Sequence, residues 1–209
     1  MGREDWYRNT SWNSEIETAF AAKLRRAKDK SQYLRIQACT LARRHPDVAL
    51  RLIDEYFALG DHFDHAQAYL DQANAYLATG NVAAAITSFE SALAREKAYP
   101  YLFTYAYLEF PCLIAIQCLA DRYAQVLEVL DANESRLAFP RDRYLWSGSR
   151  ALILHALGKV PEARTCAQAA LAAASETQSG FRYHQQVGLV QTADDEFGDR
   201  LNAIARPPN

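Results

Sequence analysis

An all-α fold is predicted for this 209-residue chain by three observations. Glycine and proline are scarce, eight and seven, against abundant Ala, Leu, Arg and Glu, a balance that favours long helices over a many-turned β fold. From Tyr69 through Ala73, Tyr76, Ala85 and Phe89 to Ala92, large residues recur at three- to four-residue spacing with small residues between them. That is the stripe of a helix pair in close contact. Gly80-Asn81 interrupts the stripe midway, where glycine turns the chain at no steric cost.

Each further element follows from the same periodicity. Trp6 to Lys28 reads as an amphipathic helix through Ile16, Phe20 and Leu24, with a capping box Ser14-x-x-Glu17 and a basic end at Lys23, Arg25, Arg26, Lys28 and Lys30. Tyr33, Ile36 and Thr40 lead to a turn at His45-Pro46, followed by Ala49, Leu50 and Ile53. Around Gly80 the two helices are predicted over Ala66 to Thr79 and Val82 to Arg95. A long helix is predicted from Tyr101 to Ala120, with a kink or new start at Pro111 because an interior proline removes a hydrogen bond and clashes with the preceding turn. Its Phe110, Leu113, Ile114 and Gln117 run to a turn near Asp121, then Val126, Leu127 and Leu130. Gly158 divides Ala151 and Leu154 from Ala163, Ala170 and Leu171. Matching positions of these four hairpins are 36, 41 and 37 residues apart. Pro46 and Pro161 each fall at the start of a second helix, where a missing amide hydrogen costs little. Beyond the last hairpin, Ser179 to His184 and Val187 to Val190 carry aromatics and an apolar run, so this segment is expected to dock as a clasp. Thr192 to Ala205 is the final predicted helix.

Composition narrows the function. With 50% hydrophobic and 23% charged residues and a net charge of −2, the chain has the make-up of a soluble globular protein. Residues 1–60 carry +3 and residues 61–209 carry −5, and neither balance suits a polyanion. No apolar run reaches the roughly 18 residues of a membrane span, and the start Gly2-Arg3-Glu4-Asp5 lacks the order of a signal peptide, so a cytoplasmic location is expected. Cys39, Cys112, Cys118 and Cys166 show no CxxC spacing and suit a reducing compartment. Walker, GxGxxG, GxSxG and HExxH motifs are absent, and no enzymatic activity or cofactor is expected. Asp61-His62-Phe63-Asp64-His65 is the densest group of metal-ligating residues, but it offers too few convergent ligands; it is read as an inter-helix turn whose aspartates cap the next helix, and no metal is expected.

The run Tyr69, Ala73, Tyr76, Gly80, Ala85, Phe89, Ala92 resembles one tetratricopeptide repeat, and the chain ends are similar to those of bacterial tetratricopeptide proteins. The repeat consensus is about 34 residues, so these copies are stretched and degenerate. The resemblance implies a tetratricopeptide-like right-handed solenoid: an N-terminal capping helix over 1–30, four hairpins over 31–174, and a C-terminal clasp with a terminal helix over 175–209. It also implies a non-enzymatic scaffold or adaptor that binds a protein or peptide, rather than a membrane or nucleic acid, on the concave face made by the first helix of each hairpin. The positions this assigns to the ligand are Arg35, Gln67, Asp71 and Asn74 as a polar patch, Leu108 and Leu152 with Ala115 as an apolar strip, and His155. A charge reversal at Asp71 would then weaken binding and spare the fold. The clamp that chaperone-docking members use for a terminal carboxylate is missing, since Leu34, Ala38, Asp71, Leu108 and Cys112 occupy its places. Toxin-neutralising partner, secretion chaperone and regulator all remain compatible, as does a sensor that encloses a small ligand or signalling peptide.

Overall fold

In the computed structural model, which describes residues 5–206, three helices end on one backbone device. Gly80 takes φ +75° and Gly158 +76°. Around each, two amides turn back to carbonyls of the helix just ended: Asn81 to Tyr76 at 2.9 Å and Gly80 to Leu77 at 3.0 Å, then Lys159 to Leu154 at 2.9 Å and Gly158 to His155 at 3.0 Å. These bonds satisfy carbonyls that the helix leaves open. Cys118, at φ +54°, repeats the pattern through Leu119 to Ile114 at 3.1 Å and Cys118 to Ala115 at 3.4 Å. The turn expected near Asp121 therefore begins three residues earlier. A cysteine in the left-handed region, where glycine is the low-energy choice, conceals it from a sequence reading.

The chain divides into two compact units that meet between Ala106 and Tyr107. The first holds α1 (Ser14–Arg26), α2 (Lys30–Leu41), α3 (Pro46–Ala58), α4 (His65–Ala78) and α5 (Val82–Ala98). Helices α2 and α3, and likewise α4 and α5, pack side by side, and connections this short make each pair an antiparallel hairpin. Pro46 opens α3 as expected. Alanine sets the spacing of the second pair: Ala73 and Ala75 of α4 and Ala85 and Ala92 of α5 are all fully buried. Ala85→Leu should overpack that contact and cost roughly 1–3 kcal/mol. Thermal denaturation checks it, and an unchanged midpoint would contradict the packing.

The N-terminal segment departs from expectation. Helix α1 starts at Ser14, and Trp6 to Asn13 is a non-helical stretch that packs by its rings. Trp6 lies 5.3 Å from Phe20 and 4.8 Å from Tyr33, and Trp12 5.5 Å from Phe20. A buried amide anchors it, because Gln37 accepts from the Asn9 backbone at 3.0 Å and donates to the Asn9 carbonyl at 2.8 Å. The cap is Asn13, whose side chain accepts from the Ile16 amide at 2.8 Å, in place of the Ser14 box. Glu17 instead pairs with Arg51 of α3 at 2.7 Å.

The second unit contains α6 (Ala106–Ile116), a short 3-10 turn, α7 (Tyr123–Ala132), α8 (Pro140–Ala156), α9 (Val160–Ala174) and α10 (Glu196–Ala205). Tyr101 to Tyr105 is not helical, so the long helix expected from Tyr101 is shorter, and α6 runs through Pro111 without restarting there. Helices α8 and α9 pack side by side, and small residues are buried along both, Ser147 and Ala151 on α8 and Ala163, Ala167 and Ala170 on α9. By contrast α6 and α7 scarcely approach backbone to backbone, and the residues they bury, Phe110 and Ile114, Tyr123, Val126 and Leu130, are large.

The C-terminal segment docks within this unit. Gly188 gives its carbonyl to the Arg141 amide at 2.8 Å, closing the open first turn of α8; its φ of +73° suits glycine, and the Phe139 ring beside it leaves no room for a side chain. Phe181 stacks on Phe139 at 5.3 Å while remaining half exposed, and Leu189 is buried. Helix α10 then lies on α8 and α9, with Phe197 and Leu201 seated over Gly148. Any β-carbon at Gly148 would stand 2.5 Å from the Phe197 ring.

Candidate functional site

The first unit gathers its polar residues where α2 meets α4. Leu34 and Ala38 turn into the core, which leaves Arg35 on the face of α2 toward α4. Its guanidinium donates through Nε to Asp64 at 3.1 Å and through Nη1 to Asp71 at 3.4 Å. Asp71 is 3% exposed, Arg35 17% and Asp64 37%, so the three charges step outward from core to solvent. Gln67, one turn before Asp71, donates to its other oxygen at 3.0 Å. Gln67, Arg35 and the Cys39 thiol all hold Asp71 in its charged form, yet burial outweighs them and pushes its carboxyl up to about 6.

Beside this network lies a cleft of about 410 Å³, bordered by Arg35, Phe63, Asp64, Ala66, Gln67 and residues 101–104. Those four residues form a strap between α5 and α6. Leu102 and Thr104 point inward and are buried, whereas Tyr101 is 93% and Phe103 66% exposed. Phe63, in the turn before α4, is 75% exposed. The strap is pinned by buried Glu96 of α5, which accepts from the Thr104 amide at 2.8 Å and from its hydroxyl. Large aromatic side chains standing in solvent around a polar floor are unusual for a surface that only solvates a fold.

The predicted site residues fall in different settings. Arg35, Gln67 and Asp71 are brought together, with Asn74 one turn further along α4, half-buried and donating to the Leu70 carbonyl at 3.2 Å. Asp71 is too deep for a partner to touch, and a reversed charge there would unfold the contact with Arg35 rather than spare it. Leu108, Leu152 and Ala115 are buried in the second unit, and His155 is exposed at the end of α8. Arg200 of α10 donates to the Ile116 carbonyl at 3.0 Å, so α10 also fastens the end of α6. Tyr101, Phe103 and Phe63 were not anticipated. The alternation Tyr99, Tyr101, Phe103, Tyr105 has the period of two of a non-helical segment and was the available signal.

The histidine turn is built into the core edge. Asp64 precedes α4 without capping it through its side chain, its carboxylate being turned to Arg35, while Asp61 pairs with Arg95. His65 Nδ1 accepts from the His62 amide at 3.1 Å and faces the Tyr56 hydroxyl at 3.1 Å. Burial lowers the His65 pKa and raises that of Tyr56, and the two rings pack 5.2 Å apart. Among the described residues, no group of three or more His, Cys, Asp and Glu is placed to hold a metal ion. The cysteines form no disulfide, and burial pushes the Cys112 thiol up to about 12. A larger recess of about 700 Å³ borders Lys28, Lys30, Tyr33 and His62. Its carboxylate, Asp29, is already engaged, capping α2 at the Gln32 amide and accepting from the Ser31 hydroxyl, and these bonds lower its pKa.

Fold and site together define an all-helical protein with an aromatic-rimmed polar cleft; no helix among the described residues is long and apolar enough to cross a membrane. No protein-family model, curated protein or solved structure matches the chain.

Proposed function

We propose that the chain is a non-enzymatic, tetratricopeptide-like scaffold that binds a segment of another protein or a peptide, and that the cleft beside Arg35 is where the segment enters. One observation carries this reading: Phe63, Tyr101 and Phe103 stand exposed around the Arg35–Asp64–Gln67 floor. Aromatic side chains supply large contact area at small conformational cost, and they dominate the energetics of recognition surfaces. The strap that presents two of them is tied to Glu96, so little ordering is left for the moment of binding. Helical hairpins closed at Gly80 and Gly158 support the repeat assignment, because a hairpin is the unit from which such arrays are stacked.

The test is affinity capture from the native host with the wild-type chain and with Tyr101→Ser/Phe103→Ser. Both side chains are largely exposed, so the double variant should keep most of its thermal midpoint while losing a partner that the wild type retains. Equal capture by the two forms would remove the cleft from the reading.

A further inference from the structure

We infer that the cleft selects a segment carrying a positively charged side chain, received between Phe63, Tyr101 and Phe103 and set against the carboxylate of Asp64. The inference rests on the binding role proposed above and names the chemistry of what binds. The charges of the floor point to it first. Arg35 brings one positive charge and is met by two carboxylates, the inner one 3% and the outer one 37% exposed. The compensated part of the network is therefore the buried part, and the excess negative charge faces solvent at Asp64, which gives Arg35 only one of its two oxygens. An anionic side chain approaching Arg35 would have to come within reach of both carboxylates, a like-charge contact that specific sites use for rejection.

The rim points the same way. The face of an aromatic ring carries negative potential and attracts a guanidinium or an ammonium. The end of α5, just before the strap, already makes this contact within the molecule: the guanidinium of Arg95 lies 4.0 Å from the centre of the Tyr99 ring, two residues before Tyr101. Tyr101 and Phe103 repeat the spacing and stand exposed where the strap borders the cleft, alternating with buried Leu102 and Thr104. A cation entering there meets ring faces and then a carboxylate, the two groups best suited to it. The basic residues Lys28 and Lys30 border the other recess and do not line this cleft.

Three blocked pentapeptides of sequence Gly-Ser-X-Ser-Gly, with X arginine, citrulline or glutamate, titrated into the isotopically labelled full chain by NMR, test the idea. Citrulline keeps the shape of arginine and loses its charge. The arginine peptide is expected to shift the amides of Phe63, Asp64 and residues 101–104 and to bind about fivefold more tightly than the citrulline peptide, the size of an exposed ring contact joined to a surface ion pair. The glutamate peptide should be the weakest. Asp64→Asn, which keeps an oxygen for Arg35, should narrow the gap between arginine and citrulline to the part the rings supply, and the wild-type comparison stands even if that variant misfolds. Equal binding of arginine and citrulline, or tighter binding of glutamate, would overturn the cation inference while leaving the cleft as a binding site. Shifts that map elsewhere, or none up to millimolar peptide, would overturn both. Concentration-dependent self-association through these same residues would also overturn it, as the occupant would then be a second copy.

Discussion

Truncation after Ser179 is expected to abolish the cooperative unfolding of the second unit. The deletion removes Leu189, Phe197 and Leu201, all buried, each contributing about 1.5–3 kcal/mol by area. Summed, that rivals the roughly 5–15 kcal/mol that separates a whole domain from its unfolded state. It also strips the cover from Gly148, whose lack of a side chain makes a hollow shaped for the Phe197 ring, and it takes away the Gly188 carbonyl that closes the start of α8. Arg200 goes with it, leaving the Ala115 and Ile116 carbonyls at the end of α6 without that donor. Amide hydrogen exchange on the full-length and truncated chains reads the result. Protection in α8 and α9 should fall by orders of magnitude, while α2 to α5 in the first unit should exchange as before. Unchanged protection in α8 and α9 would mean that α10 is an ornament on a unit that folds without it. Gly148→Leu offers a milder version, since it blocks the seat of Phe197 and leaves the chain length intact.

Where the sequence was legible, one residue type answered one physical need. Gly80 and Gly158 can be assigned because a positive φ after a helix is a glycine position; α4 and α5 lie within a few residues of their predicted bounds, and the residues assigned on either side of Gly158 fall in α8 and α9. Cys118 does the same work with the wrong side chain, so its turn was misplaced. Trp6 to Asn13 was read as helix since its apolar residues continue the stripe of Ile16, Phe20 and Leu24; that its anchor is Gln37, distant in sequence, leaves no local trace. In the site, Arg35, Gln67 and Asp71 were found because they share faces of two helices that the repeat pattern had placed. Their depths are not legible, for burial depends on how helices distant in sequence pack, as α2 does against α4.

Asp71→Asn is expected to stabilise the protein at neutral and alkaline pH. The Asp71 carboxyl is pushed up from 3.8 to about 6 by burial, against the pull of Gln67 and Arg35. Between those two values the folded chain binds a proton that the unfolded chain has released, so stability falls as pH rises through the window. Well below 3.8 the side chain is neutral in both states and costs nothing; well above 6 the full penalty is present, at most about 3 kcal/mol for a shift of this size. Asparagine carries no charge to bury and still offers an oxygen to Arg35, which keeps its second carboxylate in Asp64. His65, with a pKa lowered by burial, contributes in the opposite sense: its stability is lost as pH falls through the same region. The measurement is therefore a difference, namely urea unfolding of wild type and variant from pH 4 to pH 8, in which the histidine cancels. The variant's advantage should grow from a small value near pH 4 to its maximum above pH 7. A difference that stays level across the range would show that Arg35 and Gln67 compensate the buried charge, and that Asp71 is ionised in the fold down to the ordinary carboxylate range.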